Sequence, residues 1–197
     1  MDQERTMTSE TDLIFVDFVP RHESALPGLL GMTFAPGMKA LGQRGRWDRD
    51  LEADLRVLRD DYGTDTLVSV MEEHEYRGYG IPELFERDLI GGIEVLRFAI
   101  EDINVPKEAE ATEYEALIRD VLDRMRQGKN VVVHCRGGLG RTGTVAACVL
   151  VALGRHTAED AIETVRKARR GTIQTDEQEG FVRRFEETLR EREGEKS

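Results

Sequence analysis

One stretch of the chain combines a strand, a tight turn and a helix, and it limits the folds that the sequence can adopt. Three consecutive valines at 131–133 predict a buried strand. A turn with three glycines follows, and residues 144–153 are apolar enough to predict a buried helix. Cys135 therefore lies where a strand ends, and Arg141 lies where a helix begins.

The residue types of this turn are suited to binding a phosphate. Glycines allow positive φ, so several backbone N–H groups can face one concavity, and the start of a helix adds further unpaired N–H groups. Arg141 can bind two phosphate oxygens at once. The same positive field favours the thiolate form of Cys135, which is the nucleophilic form, and Thr142 can donate its hydroxyl to the sulfur. The turn therefore predicts attack of a thiolate on a bound phosphoryl group.

Other interpretations of the turn are weaker. Residues 138–143 match G-x-G-x-x-G, but a dinucleotide-binding fold needs a second strand ending in an acidic residue about 20 residues later. Residues 157–170 instead predict a helix. A nucleoside-triphosphate loop needs Gly-Lys-Ser/Thr, and this turn has no lysine. A lone cysteine after a strand is often a buried apolar residue, but here it occurs together with the glycines and Arg141.

Residues 134–143 read His-Cys-Arg-Gly-Gly-Leu-Gly-Arg-Thr-Gly, which resembles the signature of cysteine-dependent protein phosphatases. The Gly-Gly-Leu-Gly-Arg form, with Val-Ala-Ala-Cys following, is similar to the kinase-associated, dual-specificity subgroup, and the resemblance extends from about Leu29 to the last predicted helix. It implies an α/β fold, with a central mixed sheet of about five strands flanked by helices on both faces, and a phosphocysteine intermediate. No cofactor is implied, and no Cys/His cluster has the spacing of a zinc site. The loop residues that would bind the substrate phosphate are Arg136, Gly137, Gly138, Leu139 and Gly140.

A departing alkoxide or phenoxide needs a proton, and a positioned acid contributes about 10²–10⁴-fold to the rate. Asp102 lies in a loop after a strand predicted at 94–99, which is expected to neighbour the strand that precedes Cys135. Judged from spacing alone, an Asp in such a loop is more often a turn former or a helix cap than an acid. The resemblance implies that Asp102 is the general acid and then the general base, although Ile103 replaces the small residue that is usual in the subgroup. Glu101 is the alternative acid.

Residues 171–175 resemble the glutamine loop of the same family, which positions the water that hydrolyses the phosphocysteine. Gln174 is the matching residue, Gln178 follows it, and a simple helix cap is the alternative. His74 is a candidate substrate contact or an ordinary loop residue. The basic run 166–170 either complements a helix C-terminus, which we favour, or adds positive potential near the pocket.

Composition limits the partners and the location. The 197 residues carry a net charge of −11, which argues against nucleic acid and anionic membranes as general partners. No apolar run approaches the roughly 18 residues of a spanning helix, and the polar N-terminus lacks the apolar region of a signal peptide, so we expect a cytoplasmic protein. Residues 1–12 predict a disordered tail and residues 13–193 a single phosphatase domain. Cys148 is too far along its helix to form a disulfide with Cys135 and is expected in the core.

The periodicity of the remaining residues predicts the other elements. Strands are expected at 13–19, 29–34 and 66–71. Helices are expected at 49–62, 82–90, 111–127 and 176–190.

The predicted function is hydrolysis of phosphotyrosine in proteins, and also of phosphoserine and phosphothreonine, because the chain has no long insert to deepen the pocket. The expected partners are a phosphorylated protein and a protein kinase. Two alternatives stay open. One is a phosphatase of lipids or inositol phosphates, whose pockets are often wider and more basic. The other is a module that binds phosphoproteins or a kinase with little turnover.

Overall fold

The computed structural model describes residues 5–42 and 45–194, in which short strands and helices alternate along the chain. In chain order the strands are β1 (Thr6–Met7), β2 (Asp17–Phe18), β3 (Leu30–Thr33), β4 (Lys39–Gly42), β5 (Gly45–Asp48), β6 (Thr64–Ser69), β7 (Leu89–Ile90), β8 (Ile93–Arg97) and β9 (Asn130–His134). The helices are α1 (Arg21–Ser24), α2 (Leu51–Asp60), α3 (Glu73–Gly78), α4 (Pro82–Glu86), α5 (Ala111–Arg126), α6 (Gly140–Ala152), α7 (Ala158–Ala168) and α8 (Asp176–Gly194).

The main sheet has the strand order β2-β3-β9-β6-β8-β7. Its four inner strands are parallel, and the two outer strands, β2 and β7, pair antiparallel to their neighbours. The three valines of β9 lie in the middle of this sheet, so both of their neighbours are strands. The carboxyl ends of parallel strands meet at one edge, which is where open α/β sheets bind ligands. Cys135 lies at that edge.

Helices cover both faces of this sheet. Successive strand residues point to opposite faces, and the valines of β9 follow this rule. Val131 and Val133 belong to the hydrophobic cluster under α5–α8, and Val132 belongs to the cluster under α2–α4. All three are 0% exposed. The predicted fold class, a mixed sheet flanked by helices on both faces, is confirmed.

The strand count differs from the prediction. The main sheet has six strands rather than about five, and β1, β5 and β4 form a second sheet. The sixth strand, β7, occupies residues predicted to end a helix at 82–90. That helix ends at Glu86 instead, because Gly91 and Gly92 adopt φ of 58° and 83° and turn the chain into a hairpin between β7 and β8.

The predicted disordered tail is wrong for residues 5–12, while residues 1–4 lie outside the described residues. Thr6 and Met7 pair in parallel with β5, and Met7 is buried. Arg49 donates to the carbonyls of Thr8 and Asp12. The polar composition of this segment suggests disorder, but Arg49, itself 1% exposed, satisfies its backbone.

Two further features bear on the site. His74, considered as a loop residue, lies in α3 instead, and Glu72 and Glu75 form a capping box at the start of this helix. Cys148 is 0% exposed within α6 and both cysteines are free, as expected. Over the ranges 5–42 and 45–194, none of the helices combines the length and the apolar character needed to cross a bilayer.

Candidate active site

The loop between β9 and α6, residues 135–139 (the phosphate loop), presents backbone N–H groups that have no acceptor among the described residues. Its carbonyls are bonded: Arg136 O accepts from Ala35 N–H at 3.0 Å, and Leu139 O accepts from Gly143 N–H at 2.9 Å. The N–H groups of residues 136–139 find no acceptor among the described residues. The first turn of α6, from Gly140, adds the unpaired donors of a helix N-terminus. The loop is therefore built to bind an anion.

Two glycines, Gly138 in the loop and Gly140 at the start of α6, approach their neighbours closely, and the backbone contact at Gly138 requires glycine. Gly138 has φ of 69°, and a Cβ there would lie 2.0 Å from the carbonyl oxygen of Thr33 at the end of β3. A Cβ on Gly140 would lie 2.8 Å from Nε2 of Gln178 and 3.0 Å from Oε1 of Gln174. These approaches hold the loop against the sheet on one side and against the glutamine loop on the other.

Cys135 lies at the base of this loop and is 4% exposed. The preceding residue, His134, is fully buried, and burial lowers the pKa of His134 to about 4. Its imidazole is therefore neutral at physiological pH. The positive charge next to Cys135 therefore comes from the loop N–H groups and from Arg141, not from His134.

Arg141 is held by a carboxylate that the sequence did not single out. Its Nη1 donates to Oε2 of Glu75 at 2.6 Å and its Nη2 donates to Oε1 at 2.9 Å. Nη1 also donates to the carbonyl of Ile100 at 2.9 Å. Its Nε has no partner among the described residues although the side chain is 1% exposed. The pair with Glu75 therefore fixes the guanidinium and leaves the Nε–H for a ligand.

The two charges stabilise each other. Burial raises the pKa of Glu75, but the hydrogen bonds from Arg141 and from the backbone of Glu72 outweigh it and hold that pKa below its usual range. Burial lowers the pKa of Arg141, but the hydrogen bonds to Glu75 and the nearby charges of Cys135, Glu75 and Asp102 raise it above its usual range. Arg141 is therefore cationic whenever a substrate could bind.

Glu75 is the functional residue that the sequence analysis missed. The sequence pattern that could have indicated it is the Glu-x-x-Glu capping box at 72–75, shortly after β6. His74, which was considered instead, is exposed and forms no hydrogen bond or ion pair within the described residues.

The loop after β8, residues 98–107 (the acid loop), brings Asp102, and not Glu101, to the arginine. Its strand was expected to neighbour β9, but β8 pairs with β6, which lies between the two. Oδ1 of Asp102 lies 2.8 Å from Nη2 of Arg141 and accepts a hydrogen bond from the Ile103 N–H at 3.0 Å. The side chain of Asp102 stays 55% exposed, so it faces the opening of the site. Glu101 is exposed, and its carboxylate has no hydrogen bond or ion pair in the described part of the chain. Ile103 turns the loop with φ of 58°, a conformation that is strained for a β-branched residue.

The structure does not contain the predicted hydrogen bond from Thr142 to Cys135. Oγ1 of Thr142 is buried and has no partner among the described residues. Thr142 belongs to the first turn of α6.

The side chains of Gln174 and Gln178 both lie against Gly140, where the phosphate loop meets α6. Gln178 is 0% exposed, and its Oε1 accepts from the Gln174 N–H at 2.8 Å. Its Nε2 donates to the carbonyl of Asn104 at 3.4 Å, so it joins the glutamine loop to the acid loop. Gln174 is exposed, with its Oε1 directed to Gly140.

The basic run at 166–170 was interpreted as a complement to a helix C-terminus, and Arg166 and Lys167 do lie in the last turn of α7. The interpretation is wrong for Arg169, which contacts the loop between β9 and α6. Arg169 is 7% exposed and donates to the carbonyls of Gly138 at 2.7 Å and Gly137 at 3.2 Å. Its third nitrogen pairs with Asp17 at 2.7 Å. Arg166 instead donates to the carbonyls of the glutamine loop. Arg169 therefore binds the carbonyl side of the phosphate loop and leaves the N–H side free.

Arg136 is half-buried at the rim of the loop. Its guanidinium carbon lies 5.2 Å from the ring centroid of Tyr79. Within the described residues, no group of three or more His, Cys, Asp and Glu side chains is arranged to bind a metal.

Comparisons with known proteins identify the family of the chain. Residues 38–182 match the family model described as "PTP-SAK: Swiss Army Knife protein, DSP-PTPase phosphatase domain". Protein tyrosine phosphatase domain-containing protein 1 of Danio rerio is 39% identical over 108 residues, which are 55% of this chain and 14% of that protein. The chain thus spans only a small part of that relative.

Two similarities extend over nearly the whole chain. Cyclin-dependent kinase inhibitor 3 of Rattus norvegicus is 26% identical over 188 residues, which cover 94% of this chain and 85% of that protein. The crystal structure of kinase associated phosphatase with its catalytic-site cysteine substituted by serine superposes with a TM-score of 0.77 and 26% identity. It covers 90% of this chain and 96% of that one. Because the family model spans most of the sequence, the chain belongs to the DSP-PTPase phosphatase family, with the similarity to kinase-associated phosphatase that residues 134–143 predicted.

Proposed function

We propose that this protein removes phosphate from phosphotyrosine, phosphoserine and phosphothreonine residues of proteins through a phosphocysteine intermediate. The observation that carries the proposal is a single constellation at the edge of the sheet. A nearly buried Cys135 lies beneath the N–H groups of residues 136–139 and next to Arg141. Among the described residues, neither these N–H groups nor Nε of Arg141 has a hydrogen-bond partner. A thiolate beneath an oxyanion-binding loop is suited to phosphoryl transfer.

In the first step the sulfur of Cys135 attacks phosphorus, so an S–P bond forms while the P–O bond to the leaving group breaks. The loop N–H groups and Arg141 stabilise the charge on the three equatorial oxygens. Asp102, as the carboxylic acid, gives its proton to the departing oxygen. Its position 2.8 Å from Arg141 supports this role, because a group bound by Arg141 would lie near Asp102.

In the second step water attacks phosphorus and the S–P bond breaks, which releases inorganic phosphate and restores the thiolate. Asp102, now ionised, accepts the proton of the attacking water. Gln174 is the residue proposed to position that water, since its Oε1 is directed to Gly140 at the start of α6.

The names of the similar proteins support the substrate class and a partner. They include a tyrosine phosphatase domain protein, a dual specificity protein phosphatase and a kinase associated phosphatase. We infer that the substrate is a phosphoprotein and that a protein kinase is a partner. Both cysteines are free, and the chemistry needs a reduced Cys135, which supports a reducing compartment such as the cytoplasm.

We also propose that the described residues form one catalytic domain, because β9 contributes to the hydrophobic clusters on both faces. Residues 5–12 belong to it rather than to a tail.

The test is turnover of matched phosphopeptides that carry phosphotyrosine, phosphoserine or phosphothreonine, beside an aryl phosphate and a phosphoinositide. We expect release of phosphate from the peptides and the aryl phosphate, and none after Cys135→Ser. Hydrolysis of the phosphoinositide alone would establish a lipid phosphatase instead. Tight binding of the phosphopeptides without phosphate release would establish a binding module.

A further inference from the structure

Arg136 is the arginine of the phosphate loop that the mechanism does not use. Arg141 pairs with Glu75 and Asp102, and Arg169 pairs with Asp17. Arg136 has no carboxylate partner in the part of the chain that the structure describes. Its guanidinium forms only a long contact, 3.5 Å, to the carbonyl of Leu41. The guanidinium of Arg136, directly after Cys135, can therefore donate further hydrogen bonds to a ligand.

The ring of Tyr79 orients this cation. Arg136 stacks at 5.2 Å from the ring centroid, and stacking on one face leaves the N–H edges of a guanidinium available for a carboxylate or phosphate. Tyr79 is itself fixed, because its N–H donates to the carbonyl of Glu75 at 2.8 Å. The helix that positions Arg141 thus also positions the stacking partner of Arg136.

The charge of the chain favours an anionic partner for Arg136. Lys39 donates its backbone N–H to the carbonyl of Tyr79 at 2.9 Å, which further fixes the residue that Arg136 stacks on. The protein carries a net charge of −11, yet no carboxylate of the described residues pairs with this guanidinium. A cation in that position favours an anionic neighbour from outside the chain.

We propose that Arg136, stacked on Tyr79, is a specificity-determining residue that binds a carboxylate of the substrate close to the phosphorylated residue. This inference rests on the proposed function and narrows its substrates to phosphoproteins with an acidic residue beside the phosphorylated one. A guanidinium edge binds carboxylate and phosphate alike. A carboxylate is favoured because it adds one negative charge near Asp102 and the first phosphate, whereas a second phosphate adds close to two.

The experiment compares two phosphopeptides that differ only in Glu or Gln beside the phosphorylated residue. For the wild-type protein we expect kcat/KM to be about 5–10-fold higher for the Glu peptide, mostly through KM, because the contact is away from the reacting atoms. The ratio is expected to fall close to 1 in Arg136→Gln and to be intermediate in Arg136→Lys. It is also expected to shrink as salt is raised.

Three variants separate recognition from a merely structural role. Tyr79→Phe keeps the ring and is expected to keep the preference, whereas Tyr79→Leu removes the stacking and weakens it. Arg77→Gln is the matched control, since Arg77 is exposed on the same helix and pairs with Glu73. It is expected to leave both rates and their ratio unchanged.

Each outcome decides a separate statement. Equal rates on both peptides in the wild type, or a preference that survives in Arg136→Gln, would overturn this inference and leave the proposed function standing. A peptide with a second phosphate that is preferred over the Glu peptide would overturn the choice of a carboxylate. If neither peptide is dephosphorylated while the aryl phosphate is hydrolysed, the proposed protein substrate and this inference both fail.

Discussion

Asp102 and Arg141 meet across the opening of the phosphate loop. Their closest atoms, Oδ1 and Nη2, are 2.8 Å apart, yet the side chain of Asp102 is 55% exposed and that of Arg141 is 1% exposed. One end of the ion pair is thus anchored in the core and the other faces solvent. In the proposed mechanism, a phosphoryl group that enters from solvent would meet the carboxylate and the guanidinium together, so Asp102 could protonate the leaving oxygen.

We therefore expect Asp102→Asn to lower turnover of an alkyl phosphoester by about 10²–10⁴-fold, the usual contribution of a positioned acid. For an aryl phosphate, whose leaving group needs less protonation, the same substitution should lower turnover much less. The measurement is kcat for a series of esters of graded leaving-group pKa. Glu101→Gln is the control and is expected to behave as the wild type. A large loss in Glu101→Gln with little loss in Asp102→Asn would assign the acid to Glu101.

A second prediction concerns the buried pair of Arg141 and Glu75. We expect Glu75→Gln to lower the free energy of unfolding by about 3 kcal/mol at neutral pH, because it leaves a buried cation with less compensation. Activity should fall as well, since Arg141 loses its orientation. The pKa of Glu75 is below its usual range, so its stabilisation is present above the unfolded carboxyl pKa and is lost as pH falls through the folded pKa.

Urea unfolding at pH 7 measures this effect. Glu73→Gln removes a neighbouring exposed pair with Arg77 and is expected to cost less than about 1 kcal/mol. Equal losses in the two variants would show that the buried pair does not stabilise the fold.

The phosphate loop could be predicted from sequence because its chemistry is local. Cys135, the glycines and Arg141 lie within one short run of the sequence. The close approach of Gly138 to Thr33 needs only the absence of a side chain, which the glycine itself provides. Glu75 could not be predicted in this way, since its contact with Arg141 spans 66 residues and appears only when β6 and β9 pair. The acid loop was placed by resemblance, and the sequence alone left Asp102 and Glu101 open.

The positions of Arg169 and of the N-terminal segment could not be predicted from sequence either, for a different reason. A basic run beside a helix end and a polar segment at a terminus both suit solvent exposure. Their burial depends on distant partners, namely the carbonyls of Gly137 and Gly138 for Arg169 and the guanidinium of Arg49 for residues 8–12.

Arg169 gives a third prediction. We expect Arg169→Gln to weaken binding of vanadate or tungstate by about tenfold or more, because the carbonyls of Gly137 and Gly138 lose their donor and the loop N–H groups lose their alignment. Isothermal titration measures this affinity. Arg170→Gln makes the same change at an exposed neighbour and is expected to bind the oxyanion as tightly as the wild type. Equal weakening in both would point to a general charge effect.

A fourth prediction tests the close approach at Gly138. Gly138→Ala is expected to lower the thermal midpoint strongly, because the added Cβ would lie 2.0 Å from the carbonyl oxygen of Thr33 and φ is 69°. Gly137→Ala is the matched change, since a Cβ there meets nothing within 4 Å. We expect calorimetry to show a much smaller shift for it. Comparable shifts would mean that the loop moves freely away from β3.

The buried His134 gives a prediction about acid stability. Its folded pKa of about 4 lies below the value of about 6.5 in an unfolded chain, so between these values the unfolded state binds more protons. Stability therefore falls as pH drops through this window, by up to about 1.4 kcal/mol per pH unit. We expect His134→Gln to have a shallower slope of unfolding free energy against pH from 4.5 to 6.5, whatever its stability at pH 7. His22→Gln is the control, since that side chain is 79% exposed and is hydrated in both states. A slope in His134→Gln as steep as that of the wild type would place the acid-sensitive group elsewhere in the fold.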